Sequence, residues 1–202
     1  MNTCFRVLVL ATSVALSGCS TSSPSTAAAA AAPARTDRVQ AQYDAGGKLQ
    51  KLDYDRNSDG TMDMWGYMDG SHVVRVESDE NGDGKVDKWE FHRPVGATGG
   101  GARTGGGDRT LERVERATRF DGRVSRWEHF EDGLLTRVEE DTDANGKVDK
   151  WETYAEGALS MMALDTKGRG TPDRRLLYQA DGSFDRLESD PTGSGTFQRL
   201  DP

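Results

Sequence analysis

Six glycines follow polar or acidic clusters at a near-constant interval: Gly60, Gly84, Gly122, Gly146, Gly170 and Gly195. The intervals are 24, 38, 24, 24 and 25 residues. The long one contains the glycine-rich stretch PVGATGGGARTGGGD, Pro94 to Asp108, and removing about 14 residues there restores the period. A unit of roughly 24 residues is too short to enclose a core of its own, so each copy must find its partners in the copies beside it.

The order within the unit indicates what it folds into. A loop rich in Asp and Asn comes first. A tryptophan follows in four copies (Trp65, Trp89, Trp127, Trp151), and further aromatics come next (Tyr67, Phe91, Phe130, Tyr154, Tyr178). A turn is then spelled MDGS, EDGL, AEGA or ADGS, and a second segment reads VVRVESD, LERVERA, LLTRVEED or FDRLESD. KWEFH and RVSRWEHF place large residues two apart, while VVRVE and LLTRVE alternate apolar with charged positions. Both are strand patterns, and Asp-Gly between them is a hairpin turn. The chain is expected to be all-β, a meander of about 24-residue β-hairpins joined by the acidic loops. LERVERATR has helix-forming residues, but its place in the repeat predicts a strand. We expect one face to collect Trp, Tyr, Phe, Val and Leu and the other to carry Arg and Lys beside Glu. Such a sheet can stay open, or close into a barrel or solenoid.

The N-terminus has a different composition. Arg6 precedes VLVLATSVAL, an apolar stretch too short to span a bilayer as a helix. LSGC, Leu16 to Cys19, follows it and resembles the lipobox of bacterial lipoproteins. That resemblance implies a signal peptide over 1–18, cleavage before Cys19, lipidation (palmitate among the acyl chains) of that cysteine, and an outer-membrane location, because Ser20 stands where the inner-membrane retention signal has Asp. Residues 19–38, rich in Ser, Thr, Ala and Pro, read as a disordered tether. The repeat domain would span 39–202, with a glycine-rich insertion at 94–108. With Cys4 in the signal and Cys19 lipidated, no thiol is left for a disulfide. Only 34% of residues are apolar, so a core this thin needs another staple, and bound metal is one. The net charge of −8 argues against nucleic acid as a partner and suits a cation.

Two loops carry the chemistry for that cation. DENGDGKVDKWE begins at Asp79 and DTDANGKVDKWE at Asp141. Calcium takes six to eight oxygen ligands, and alternate side chains on a tightly turning loop converge on one point. The candidate ligands are Asp79, Asn81, Asp83, the Lys85 carbonyl, Asp87 and Glu90 in the first loop. In the second they are Asp141, Asp143, Asn145, the Lys147 carbonyl, Asp149 and Glu152. Both fill the pattern of the EF-hand loop. A partial third set, Asp55, Asn57, Asp59 and Asp63, has Gly66 where the final glutamate belongs. It resembles the compact DxDxDG loops of dockerins and thrombospondin type-3 repeats. The other loops place Arg119, or Lys167 and Arg169, at ligand positions and are expected to be metal-free.

Helix–loop–helix EF-hands are the alternative setting for these loops, but the flanking strand patterns favour a calcium loop inside a β-repeat. The period and aromatic-turn rhythm also resemble MORN-type and antitoxin-like hairpin repeats. Magnesium suits the loops less, since it keeps its waters. His72, His92 and His129 occupy strand slots, and no nucleophile elbow or phosphate-cradling loop is present, so an enzyme is not expected. The expectation is a calcium-binding structural or interaction lipoprotein of the bacterial cell envelope. The alternative is a metal-independent protein that binds a protein or glycan partner through its aromatic face.

Overall fold

The computed structural model describes residues 38–94 and 109–200, and every structural statement below concerns those residues. The expected signal peptide over 1–18, Cys19, nearly all of the expected tether and the glycine-rich insertion after Pro94 lie outside them.

Thirteen strands form one antiparallel sheet in strict chain order, and no helix is present among the described residues. The first hairpin pairs β1 (Val39–Tyr43) with β2 (Leu49–Tyr54). Four more hairpins follow: β3 (Met64–Asp69) with β4 (His72–Ser78), β5 (Lys88–Pro94) with β6 (Arg109–Arg116), β7 (Arg126–Glu131) with β8 (Leu134–Glu140), and β9 (Lys150–Ala155) with β10 (Ala158–Leu164). The last is β11 (Arg174–Tyr178) with β12 (Phe184–Ser189), followed by the short β13 (Gln198–Arg199). The expected meander is therefore present, and the sheet is open, neither barrel nor solenoid. LERVER is strand β6, and the acidic loops are flanked by strands on both sides, which replaces the helix–loop–helix alternative.

The hairpin turns follow from their sequences. Asp132-Gly133 and Glu156-Gly157 each have both central residues at positive φ (51° and 80°, 51° and 83°). This is the mirror-image turn whose twist matches a two-residue hairpin. Each hairpin also carries one extra residue close to the turn: Gln50, Val74, Glu112, Thr136, Ser160 and Asp185 have no cross-strand partner in the register. These are β-bulges, which bend and twist the strand locally. Thr136 and Ser160 hydrogen-bond through their hydroxyls to the carbonyls of His129 (3.2 Å) and Thr153 (2.9 Å) opposite.

The distribution of side chains over the two faces corrects the sequence expectation. Trp65 pairs with Glu77 and Asp53, Trp89 with Glu77 and Glu115, and Trp151 with Glu139 and Ala163. Directly opposed residues share a face, so the tryptophans lie among Glu and Arg, while Val76, Val114 and Val138 lie on the opposite face among Glu90, Glu128 and Glu152. Neither face is purely apolar. The reason is parity: in the segment Arg-Val-Glu the charged residues flank the valine, and the register sets those charges, not the valine, beside the tryptophan. On the tryptophan face Arg75 stacks 4.1 Å from the Tyr67 ring centre and Arg113 4.3 Å from that of Phe91. Such contacts contribute about 0.5–1 kcal/mol each when exposed. Ion pairs run along the strands between residues two apart: Lys51–Asp53 (2.9 Å), Arg75–Glu77 (3.1 Å) and Arg113–Glu115 (2.8 Å).

On the opposite face, Arg126 sits at the centre of an ionic network. It reaches Glu128 (2.8 Å), Glu140 (3.0 Å) and Glu152 (3.8 Å), and Lys150 joins Glu140 (3.2 Å) to Glu152 (2.8 Å). Beside it Val138, 1% exposed, lies between Glu128 and Glu152. Among the described residues the buried apolar side chains are only Val114, Ala117, Val138 and Ala163, and buried carboxylates outnumber them. With a single sheet and no second layer, cohesion comes from the ladder, cross-strand pairs and ionic networks, not from an enclosed core.

Candidate metal-binding connectors

Five loops of equal length link the hairpins along one edge of the sheet. They span Asp55–Asp63, Asp79–Asp87, Ala117–Ser125, Asp141–Asp149 and Asp165–Asp173, and are numbered connectors 1 to 5. Connector 6 runs from Asp190 to Phe197, before β13. Numbering residues within a connector from one to nine shows one design. The amide of position nine donates to the carbonyl just before position one, as in Asp87 to Ser78 (2.8 Å) and Asp149 to Glu140 (3.0 Å). The amide of position one donates to the carbonyl of position nine in the preceding connector: Asp79 to Asp63 (2.9 Å), Ala117 to Asp87 (2.7 Å), Asp141 to Ser125 (2.8 Å), Asp165 to Asp149 (2.8 Å) and Asp190 to Asp173 (2.8 Å). The connectors thus continue the sheet's hydrogen-bond ladder.

In connectors 1, 2 and 4 side-chain oxygens fold the loop inward. The carboxylate of position one accepts from the amides of positions four and six: Asp79 from Gly82 and Gly84 (2.7 Å each), and Asp55 from Ser58 (2.6 Å) and Gly60 (2.9 Å). Positions three and five accept from the amides two residues on, as Asn81 does from Asp83 and Asp83 from Lys85 (2.9 Å each). In connector 4, Asp143 accepts from Asn145 (3.0 Å) and Asn145 from Lys147 (2.8 Å). Position nine returns to cap the amide of position two: Asp63 to Arg56 (2.9 Å), Asp87 to Glu80 (3.0 Å) and Asp149 to Thr142 (3.0 Å). Each carboxylate oxygen has a second lone pair, so these bonds orient the oxygens and leave capacity for a cation.

Positions four and six need left-handed backbone. Gly84 and Gly146, at position six, have φ of 85°. Position four is Gly82 in connector 2 but Ser58, Phe120 and Ala144 in connectors 1, 3 and 4, at φ 65°, 58° and 66°, where a Cβ carries strain. Ala144→Gly is therefore expected to stabilise the protein by about 0.5–1 kcal/mol, measured by urea denaturation.

In connector 4, one oxygen from each of Asp141, Asp143 and Asp149 lies within 4.8 Å of the others, a hard-oxygen group that can hold a metal ion. Asp141 is held below the ordinary aspartate value: burial opposes its charge, but amides from Gly146, Ala144 and Asn145 prevail. Connector 2 differs. Asp87 is 2% exposed, and its Oδ1 has no hydrogen-bond partner. Burial pushes its carboxyl up, against the amides of Glu80 and Asn81 and with the repulsion of Asp79 and Asp83. That repulsion comes from the very loop Asp87 closes. The carboxylates of connector 2 do not converge as those of connector 4 do: among the described residues only Asp141, Asp143 and Asp149 bring their oxygens within 4.8 Å of one another.

No protein-family model matches the chain, and no curated protein is significantly similar to it.

Connector 1 places Asp55, Asn57, Asp59 and Asp63 in the same loop geometry. Glu90 and Glu152, the expected twelfth ligands, are strand residues. Glu90 pairs with Lys88 and lies 4.0 Å from His92, and Glu152 accepts from Lys150 and from the Tyr154 hydroxyl (2.8 Å each). Burial, then Glu152, raises the Tyr154 phenol to about 12. The converging carboxylates of connector 4 thus end at position nine, Asp149. The amides of Lys85 and Lys147 bond to position five, as described, and Lys85 Nζ approaches Asp83 (3.7 Å).

In connectors 3 and 5, Arg119, Lys167 and Arg169 reach the next connector, and Lys167 also approaches Asp173 of its own loop (3.7 Å). Arg119 donates to the carbonyls of Asp141 (3.2 Å) and Thr142 (2.7 Å), Lys167 to Pro191 (3.1 Å) and Arg169 to Asp190 (3.4 Å). Arg38, just before β1, does the same to Asp55 (3.1 Å) and Arg56 (2.7 Å). Sequence reading found the charge of these residues but not this destination, because hairpin stacking alone sets which loop adjoins which. Within connector 6 the Asp190 carboxylate accepts from Gly193 (2.8 Å), Gly195 (2.6 Å) and the Thr192 hydroxyl (2.9 Å). Burial opposes its charge, yet these donors bring its carboxyl down to about 2.

Proposed function

We propose that this protein is a calcium-binding structural or interaction lipoprotein of the bacterial envelope. It is held to the outer membrane through lipidated Cys19, and its repeat sheet presents mixed aromatic and charged faces to a protein or glycan partner. The observation that carries the calcium reading is the convergence of Asp141, Asp143 and Asp149 within 4.8 Å, on a loop whose backbone already fixes each carboxylate. The donor set is all oxygen and anionic, which suits calcium better than softer metals. The residues that would hold the ion are Asp141, Asp143, Asn145 and Asp149 in connector 4, with their counterparts in connectors 1 and 2. When bound, the ion supplies charge neutralisation and cross-linking.

Isothermal titration of the chain with calcium tests the proposal. Saturable heat with a stoichiometry between one and three, absent when magnesium replaces calcium at equal concentration, is expected. No heat up to millimolar calcium would sink it.

A second reading is favoured by the alignment of Trp65, Trp89, Trp127 and Trp151 on one face, alternating with acids. It is metal-independent docking of a partner or glycan on that face. It predicts binding that survives chelation, which the titration combined with a chelator control separates from the first.

A further inference from the structure

Among the described residues no strand pairs with the outer edge of β1, and the sheet ends there. Its two ends are unlike. β13 has two residues, one of them Arg199, and strands so short and charged resist further pairing. β1 has five residues, reads Val-Gln-Ala-Gln-Tyr and is exposed throughout. It carries no charge and no proline, and the extra residue of its hairpin, Gln50, lies on β2. The usual guards of an edge strand are thus missing from it, while Val39 and Tyr43 stand 54% and 62% exposed.

The free edge has a defined pattern. The Arg38 carbonyl receives the Asp55 amide, and the Asp44 amide donates to the Lys48 carbonyl, both within the first hairpin. By alternation the amides and carbonyls of Val39, Ala41 and Tyr43 point away from β2. The sequence along this edge is self-complementary. Reversed about Ala41, the run from Arg38 to Asp44 sets Val39 opposite Tyr43, Gln40 opposite Gln42 and Arg38 opposite Asp44. Aromatic–β-branched and opposite-charge pairs are both favourable across antiparallel strands, and two glutamine amides can bond each other. The Arg38 guanidinium is drawn back to Asp55 and Arg56, and the Asp44 carboxylate to Gly46 and Lys48, which leaves the edge open.

We infer that β1 is a homodimer interface: two copies join their β1 strands antiparallel about a two-fold axis at Ala41, perpendicular to the sheet. Val39, Ala41 and Tyr43 then exchange ladder bonds with the partner's Tyr43, the partner's Ala41 and the partner's Val39. The axis keeps each face of the sheet continuous across the joint. β13 cannot take the place of the second β1. In the alternating order it runs in the same direction as β1, so head-to-tail joining would be parallel and two residues long. The association therefore closes at two copies. The shared ladder is short, which makes the dimer a reversible one. This goes beyond the calcium reading and does not depend on it.

Sedimentation velocity of the full chain over a range of concentrations tests the inference. A monomer–dimer equilibrium is expected. Ala41→Lys, which sets two ammonium groups across the axis, should weaken it by roughly tenfold. Cysteine cross-linking reads the register independently. In a chain carrying Cys4→Ser and Cys19→Ser, Ala41→Cys should give a disulfide-linked dimer on oxidation. Residues facing each other in a hydrogen-bonded antiparallel pair have Cα atoms about 5.5 Å apart, within disulfide reach. Val39→Cys alone should not cross-link, because its counterpart is displaced roughly 13 Å along the strand. Mixed with Tyr43→Cys, it should. A chain that stays monomeric to its solubility limit would overturn the inference, and an exchange-protected Ala41 amide in that monomer would assign the edge to a segment of the chain itself. A dimer that Ala41→Lys leaves intact, or cross-linking by Val39→Cys alone as efficient as by Ala41→Cys, would overturn it too.

Discussion

Asp83→Ala combined with Asp143→Ala is expected to remove most of the protein's calcium-dependent stability. Both residues stand at inner loop positions, exposed to solvent. Their losses in chelator are small: Asp83 gives up its acceptor bond from the Lys85 amide, and Asp143 its bond from Asn145. In calcium the contrast is large. An ion present at a hundredfold excess over its dissociation constant, and bound only by the folded chain, adds about 2.7 kcal/mol per site. In a domain of this size each kcal/mol moves the melting temperature by roughly 2–4 °C. Losing two sites should therefore lower the melting temperature in calcium by about 10–20 °C, while the two proteins melt within a few degrees of each other in chelator. Differential scanning calorimetry under both conditions reads this directly. The same calcium-induced rise in both proteins would show that the loops do not hold the ion.

The second large effect is expected at Arg126. Arg126→Ala leaves Glu128, Glu140 and Glu152 facing one another, with Lys150 neutralising two of them and Arg116, 3.4 Å from Glu128, the third. Removing one partner from a buried ionic cluster costs about 3–5 kcal/mol, and the partial exposure of this one brings the expectation to roughly 2–3 kcal/mol. Its pH dependence has a definite sign. Burial opposes the charge of Glu152, but Lys150, Tyr154 and Arg126 hold its carboxyl below the ordinary glutamate value in the folded chain. A depressed folded-state value contributes stability that is present above the unfolded-state value and is lost as pH falls through the folded one. The penalty of Arg126→Ala should thus be full at pH 7 and shrink below about pH 4, the ordinary carboxylate range. Urea denaturation at pH 7 and pH 3.5 measures it. A penalty that does not change between the two would show that the arginine acts by packing alone.

Much of the fold was legible because the period and the turn chemistry are local. Lys88, Trp89 and Glu90 belong to the strand after the connector, as the repeat implied, and Asp132-Gly133 forms the turn its sequence demands. The connectors' acidic positions were legible for the same reason. Face assignment was not, because it depends on the pairing parity between two hairpins, which no single segment contains. Trp89 opposite Glu77 rather than Val76 is a fact about register. Glu90 and Glu152 matched the loop pattern by identity, but a strand begins two residues before each, and their carboxylates are turned to Lys88 and to Lys150 with Tyr154. The orphaned oxygen of Asp87 and the bulges at Thr136 and Ser160 are likewise products of packing geometry, and neither has a sequence signature.

The bond from the first amide of one connector to the last carbonyl of the connector before it bears on how such a chain could change its length. Excising Asp141 through Leu164 would bring the Asp165 amide to the Ser125 carbonyl, the acceptor Asp141 now uses. The excised segment holds an even number of residues, so every side chain downstream would keep its face. Each strand packs against the strands that adjoin it, with only a marginal approach of β4 to β6 beyond that. Duplication or loss of a whole unit is therefore a change the rest of the molecule scarcely registers, and the span of the sheet becomes a quantity set by how many times one gene segment has been copied.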